Sequence, residues 1–195
     1  WHHFASFIIS IALLGFGAGG TLISIFRKKM LKAAGILIPL FMVICGILIA
    51  GSFILSGSDL FYFDSYVLIT EKAQFIKFIF SNILLFLPFF FGAAAIGLIF
   101  VKEVSSIGKY YFSNLLGSGF GGVLIILLLW VLHPGKIPPI LSFLPVIAGM
   151  LVIRKKHRKL LVSIGIISLI FLSYALFIKK EIKYSQYKSI SYALN

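Results

Sequence analysis

Acidic residues and cysteine are scarce in this 195-residue chain. Five aspartate and glutamate residues stand against 18 lysine and arginine residues, and Cys45 is the single cysteine. One cysteine excludes an intrachain disulfide and a metal site built from several thiolates. The acidic residues lie outside the apolar runs, so the sequence places no carboxylate inside a membrane span, where one would be a candidate for proton coupling or cation binding. They are Asp59, Asp64, Glu71, Glu103 and Glu181.

Long polar stretches are missing as well. The chain is 61% hydrophobic with a mean hydropathy of +1.11, which is outside the range of soluble domains. A bilayer core of about 30 Å requires about 20 apolar residues per helix. The composition therefore predicts an all-α, polytopic transmembrane helical bundle. Six spans are predicted, at Phe4–Phe26, Ala33–Leu55, Phe78–Val101, Tyr110–Leu132, Ile137–Ile153 and Leu160–Ile178.

The net charge is +13, and half of the basic residues lie in two clusters at the ends of spans one and five. Clusters at alternate span ends are typical of the positive-inside rule and indicate topology rather than nucleic-acid binding. The pattern predicts cytoplasmic loops at 27–32 and 154–159 and an outer loop at 56–74. The lipid bilayer is the expected partner, with anionic headgroups at the basic clusters. The side of the tail from Lys179 stays open, because six spans place this lysine-containing segment outside.

Two segments of the chain recur. Residues 13–23 and 115–125 are identical at eight of eleven positions, and residues 43–48 resemble residues 146–151 at an offset of 103. Two repeated segments at nearly the same offset favour an internal duplication with halves of about 1–101 and 102–178. Because each half has three spans, its copies must run in opposite directions, which predicts a 3+3 inverted repeat.

Glycine pairs lie in both copies of the first segment, four residues apart on one helix face. The pairs are Gly15 with Gly19 and Gly117 with Gly121. Small faces allow membrane helices to approach closely, so we expect span one to cross span four at these glycines. A phosphate-binding loop is disfavoured because both flanks are membrane span. The sequence predicts no catalytic residue, no cofactor and no metal site.

Two asparagines are the polar candidates inside the spans. Asn82 lies near the start of span three and Asn114 near the start of span four. We expect each to bond to a neighbouring helix rather than to a substrate.

Four motifs resemble the membrane domain fused to bacterial spermidine synthase-like proteins. They are His3-Phe4-Ala5 leading into residues 10–20, Leu87-Pro88-Phe89-Phe90-Phe91-Gly92, residues 110–121 from Tyr110-Tyr111-Phe112-Ser113-Asn114, and residues 185–194. The resemblance implies that residues 1–178 form a multi-pass domain of the bacterial inner membrane. It also implies that residues 179–195 begin a linker to a soluble aminopropyltransferase domain outside this chain. Asn114 stands where the family usually has aspartate, so a role for a buried carboxylate does not carry over.

Three classes of function stay open. The first is the membrane anchor of a polyamine-forming fusion protein, which has its own soluble catalytic domain as partner. The second is a small inverted-repeat transporter, and the third is a structural subunit that partners other membrane subunits. The lack of an intramembrane charge counts against cation-coupled or proton-coupled transport.

Overall fold

The computed structural model describes residues 2–56, 58, 61, 63, 68, 70–153 and 158–177, and the side chains of all of these except 2–5 and 158–160. Over these residues the chain is α-helical and contains no strand, so the all-α prediction is confirmed. The described helices are α1 His2–Ile25, α2 Arg27–Leu55, α3 Lys72–Lys102, α4 Ile107–Val131, α5 Ile137–Leu151 and α6 Arg158–Phe177. Short 3₁₀ turns at Val104–Ser106 and Pro134–Lys136 precede α4 and α5.

The helices have the length and composition of membrane spans. Helices α1 to α5, the last two taken with their 3₁₀ turns, are long and apolar enough to cross a bilayer. The apolar part of α6, Leu161–Phe177, is shorter. The chain is therefore a membrane protein. Five of the six predicted spans overlap helices that are long enough to cross a membrane, and the sixth overlaps the shorter α6.

The first basic cluster lies on a helix and not in a loop, which corrects the sequence prediction. Phe26 alone separates α1 from α2, with φ −101° and ψ 20°. Helix α2 then starts at Arg27, because lysine, methionine and leucine in 27–32 are good helix formers. In the second predicted cytoplasmic loop, 154–157 lie outside the described residues, and Arg158 starts α6.

Helix α2 is the centre of the bundle. It packs extensively against α3 and α5 and less extensively against α6, while α1 packs on α3. One buried cluster joins α1, α2 and α3 around Ile38, Ala94 and Leu98. A second cluster joins α2, α5 and α6 and includes Val43, Val146, Ala50, Leu172 and Ala175. Each side of α2 therefore carries its own core.

Helices α2 and α5 cross closely at the second pair of repeated segments. A Cβ built on Gly46 would lie 2.5 Å from Val146 Cγ2 and 2.6 Å from the carbonyl oxygen of Ser142. At such distances only glycine fits without a shift of the backbone. The crossing is fully buried, since Val146 and Ser142 have no exposed surface.

Gly149 of α5 makes the equivalent contacts with α2. A Cβ built on it would lie 2.9 Å from the carbonyl oxygen of Pro39 and 3.1 Å from Val43 Cγ2. At an offset of 103 residues, Gly46, Val43 and Pro39 correspond to Gly149, Val146 and Ser142. Each contact of Gly46 therefore has its counterpart at Gly149. Such a self-complementary contact is the signature of a two-fold axis. Residue numbers fall along α2 as they rise along α5, so the helices are antiparallel, as an inverted repeat requires.

Helix α4 departs from this symmetry. None of its residues is buried, and its packing is limited to a small contact with α3. It does not pack against α5 or α6 to a comparable extent, whereas α1, its counterpart, packs extensively on α3. The two halves thus share their central crossing but differ at their first helices.

Candidate functional site

The α1–α3 junction is built on two glycines. A Cβ on Gly15 would lie 2.7 Å from Phe89 Cβ and 3.0 Å from the backbone nitrogen of Phe90. A Cβ on Gly19 would lie 3.0 Å from the Phe90 carbonyl oxygen and 3.1 Å from Ala93 Cβ. The partner residues advance along α3 as the glycines advance along α1, so the two helices are parallel.

The predicted crossing of span one with span four is wrong. Among the described residues, and apart from the adjacent backbone of α4 itself, no atom lies within 4 Å of a Cβ built on Gly117 or Gly121. The glycine face of α1 is instead occupied by α3, whose Ala93 and Phe90 backbone provide a surface flat enough for close approach. A small-residue face thus permits a close contact but does not select the partner.

Cys45 links α2 to α3 at a proline. Its Sγ donates to the carbonyl oxygen of Pro88 at 3.3 Å, and both residues are buried. A Cβ on Gly92, one helical turn further along α3, would lie 3.4 Å from the same sulfur. The contact of Cys45 could not be predicted, because a lone cysteine in a span gives no signal of the carbonyl that it faces.

The two polar candidates lie on different helices and make different contacts. Asn82 Nδ2 donates to the Phe78 carbonyl oxygen at 2.7 Å, within α3. The expected bond from Asn82 to a neighbouring helix is replaced by this local one, because the carbonyl four residues earlier is within reach. Asn114 is half-exposed on α4, and its side chain forms no hydrogen bond with the part of the chain that the structure describes.

Phe61 and Phe63, which follow α2 in the sequence, contact α3 at one end of the bundle. Ser81 Oγ donates to the Phe61 carbonyl oxygen at 2.6 Å, and the Phe63 ring lies edge-on to Phe78 at 5.1 Å. Beneath them is a cavity of about 250 Å³, lined also by Ser52, Ser56, Leu84 and Leu85. This cavity could not be predicted from the sequence, since it depends on the positions of Phe61 and Phe63 relative to α3.

Metal-binding side chains are not clustered in the described residues. No three His, Cys, Asp or Glu residues among them lie close enough together to hold an ion. His133 Nδ1 accepts a hydrogen bond from the backbone nitrogen of Gly135 at 3.2 Å, which fixes the turn before α5.

Comparisons with known proteins give no relative. No protein-family model, curated protein sequence or solved structure matches this chain significantly. The resemblance to the spermidine synthase-like membrane domain therefore depends on the four sequence motifs alone.

Proposed function

We propose that this chain is an assembly and anchoring domain of the membrane rather than a carrier. The observation that supports this most strongly is α4, an apolar helix with no buried residue, whose contact with the described bundle is limited to a small one with α3 and whose glycine face has open space beside it. A helix of this kind provides contact surface to another membrane component. The resemblance suggests that the anchored partner is a soluble aminopropyltransferase domain. It also suggests that the chain lies in the bacterial inner membrane.

The centre of the bundle favours anchoring for a second reason. A carrier with inverted repeats binds its solute between the repeats, near the middle of the bilayer. In this chain the repeats meet at Gly46 and Gly149, where α2 and α5 are in van der Waals contact and Val43 and Val146 are buried. This packing leaves no space for a solute at the crossing.

The first basic cluster favours a position for the start of α2 at an anionic membrane surface. Its residues, Arg27, Lys28, Lys29 and Lys32, are exposed at the start of α2, next to the tight turn at Phe26. Each basic residue near an anionic leaflet contributes about 1 kcal/mol of attraction. We propose that anionic headgroups bind there and hold this end of the bundle at the membrane surface.

To test the anchoring proposal, the tagged chain is purified in mild detergent from membranes of the organism that naturally produces it. Aminopropyl transfer from decarboxylated S-adenosylmethionine to a polyamine is then measured. The control is the same chain from a host without a synthase-like reading frame, and we expect activity in the first preparation and none in the second. Absence of activity from both preparations would contradict the aminopropyltransferase partner, and activity in both would contradict the assignment of the chemistry to a partner.

The inverted crossing of α2 and α5 keeps a carrier as the second candidate, because many carriers share this plan. Asn114→Leu distinguishes the two functions, since it removes the polar amide nearest the glycines of α4 at similar bulk. An anchor tolerates it, losing no more than the roughly 0.6–2 kcal/mol of a membrane hydrogen bond. Loss of solute uptake in proteoliposomes by a folded, monodisperse variant would favour the carrier.

A further inference from the structure

The cavity beside Phe61 and Phe63 is a space that the packing of α2 against α3 leaves unfilled. Its volume is about 250 Å³, and it is partly open. A closed apolar cavity of about 150 Å³ is already large enough to hold benzene. The space therefore fits a ligand with one ring or two fused rings.

Two buried serines give the wall of this cavity hydrogen-bond acceptors. Ser52 Oγ donates to the carbonyl oxygen of Ile49 at 2.9 Å, and Ser81 Oγ donates to that of Phe61 at 2.6 Å. A hydroxyl group has one proton to donate, so each of these oxygens retains only the capacity to accept. Both serines are 8% exposed, and a donor that reaches them must enter the cavity.

A backbone carbonyl of the same wall also lacks its helical donor. Pro88 lies inside α3 and has no backbone N–H, so the carbonyl oxygen of Leu84, four residues earlier, loses the hydrogen bond that a helix normally supplies. Leu84 lines the cavity together with the two serines. The wall therefore matches a ligand that donates a hydrogen bond.

The remaining wall is apolar and partly aromatic. It includes Phe61, Phe63 and Leu85, and none of the described residues that line the cavity carries a charge. Burial of a cation without a charged partner is costly, so a neutral donor fits better than an ammonium group. Aromatic side chains favour offset or edge-on packing with another ring.

The cavity lies near one end of the apolar part of the bundle. Ser52 is in the last turn of α2, which ends at Leu55, and Lys77 lies one turn before Ser81 on α3. Rings with one polar group prefer this depth, where the apolar core of the bilayer meets water. A ligand of this kind can reach the site from the membrane.

We propose that this cavity binds a membrane-soluble phenol. The phenol hydroxyl donates to the serine pair, Ser52 and Ser81, and the ring fills the apolar space beside Phe61 and Phe63. Binding of this kind requires no charge and no metal, and it is independent of the partner that the chain anchors.

The test compares two probes of nearly equal size, 2-naphthol and 2-methylnaphthalene, which differ by a hydroxyl in place of a methyl group. Binding to the purified chain is measured by equilibrium dialysis against protein-free micelles of the same detergent, which corrects for partition into detergent. We expect saturable binding of one 2-naphthol per chain, about fivefold tighter than that of 2-methylnaphthalene, as for one net hydrogen bond.

Serine variants locate the hydrogen bond. The preference for 2-naphthol should fall to about one in Ser52→Ala, in Ser81→Ala or in both, and it should persist in Ser142→Ala. Ser142 is the matched control because it is buried, donates to a carbonyl three residues earlier as Ser52 does, and lies outside the cavity wall. Use of the preference as the readout separates a lost hydrogen bond from a loosened Phe61, which would weaken both probes alike.

A cavity-filling variant tests the site without removing a polar group. Leu85→Trp adds bulk into the cavity and should weaken binding of both probes at least about fivefold. Ile83→Trp is its control, since Ile83 is 49% exposed on the same helix and does not line the cavity. Helical circular dichroism and a monodisperse elution profile check that each variant is folded.

Three results overturn the proposal. The first is the absence of saturable 2-naphthol binding, and the second is equal affinity for the two probes. The third is unchanged binding in folded Leu85→Trp, or a preference for 2-naphthol that both cavity serine variants retain.

Discussion

At the scale of single residues, the glycines of this chain fall into two kinds. Gly46 and Gly149 lie where another backbone is so close that no side chain fits, whereas Gly51 and Gly17 have nothing within 4 Å of a built Cβ. The residue type is the same in both cases. Only the position of the neighbouring helix determines whether a methyl group is tolerated.

Gly46→Ala should therefore destabilise the protein, and Gly51→Ala on the same helix should not. The alanine methyl at position 46 meets the Ser142 carbonyl oxygen and Val146, and overpacking of this kind costs about 1–3 kcal/mol. The free energy of unfolding can be measured by loss of helical circular dichroism as SDS is titrated into mild detergent. Equal midpoints for the two variants would contradict the close contact of Gly46 with Ser142 and Val146.

Cys45 provides a second test at this scale. It is 9% exposed, and its sulfur is bonded to the Pro88 carbonyl oxygen. A maleimide that dissolves in detergent micelles should therefore label the folded protein slowly and the SDS-unfolded protein completely. Fast labelling of folded protein, checked against Thr70→Cys in a Cys45→Ala background as an exposed reference, would contradict the α2–α3 contact.

At the scale of helices, α1 and α4 share a sequence but not an environment. Helix α1 lies on the Phe89–Ala94 surface of α3, whereas α4 makes only a small contact with α3. Sequence identity between two helices is therefore a guide to the contact that they can make. It does not determine which contact is made within one chain.

A matched pair of substitutions separates the two helices. Gly19→Leu pushes α1 away from α3 and should cost at least the roughly 1–3 kcal/mol typical of overpacking. Gly121→Leu, at the equivalent position of α4, should leave the stability of the monomer within about 0.5 kcal/mol, as for most exposed sites. Both values come from SDS unfolding at a protein concentration low enough to keep the chain monomeric. Equal losses would mean that α4 is packed within the chain.

At the scale of the whole molecule, charge sets the orientation of the bundle. The exposed basic residues at the start of α2 predict that this end faces the cytoplasm, and the 56–74 segment then faces outward. The shared helical core makes the orientation a property of the bundle as a whole, so two labelled positions suffice to determine it.

Lys28→Cys and Thr70→Cys, each in a Cys45→Ala background, test this orientation. An impermeant maleimide applied to intact cells should label Thr70→Cys, and it should label Lys28→Cys only after the cells are opened. The reverse pattern would contradict the positive-inside assignment for this chain.

Much of the fold followed from hydropathy and repetition, and the partners of particular residues did not. The six apolar runs predicted the helices, but the crossing was predicted at residues 13–23 and 115–125, whereas the repeated segments that cross are 43–48 and 146–151. The sequence did not indicate that Gly15 and Gly19 meet α3, because several helices could offer a flat surface. It also did not indicate the hydrogen bond from Ser81 to Phe61 beside the cavity, since loop conformation leaves no periodic pattern.

The crossing of α2 and α5 also has a consequence for biosynthesis. Val146 follows Gly46 by 100 residues, so α2 enters the membrane long before its second neighbour has been translated. The cluster around Ile38 and Leu98 can form as soon as α3 is inserted, while the Gly46 side of α2 stays open to lipid or to the insertion machinery. Contacts between distant segments form late, and the open surface is exposed to wrong partners until they do. A ribosome that stalls between α3 and α5 would therefore leave half of the core of α2 uncovered.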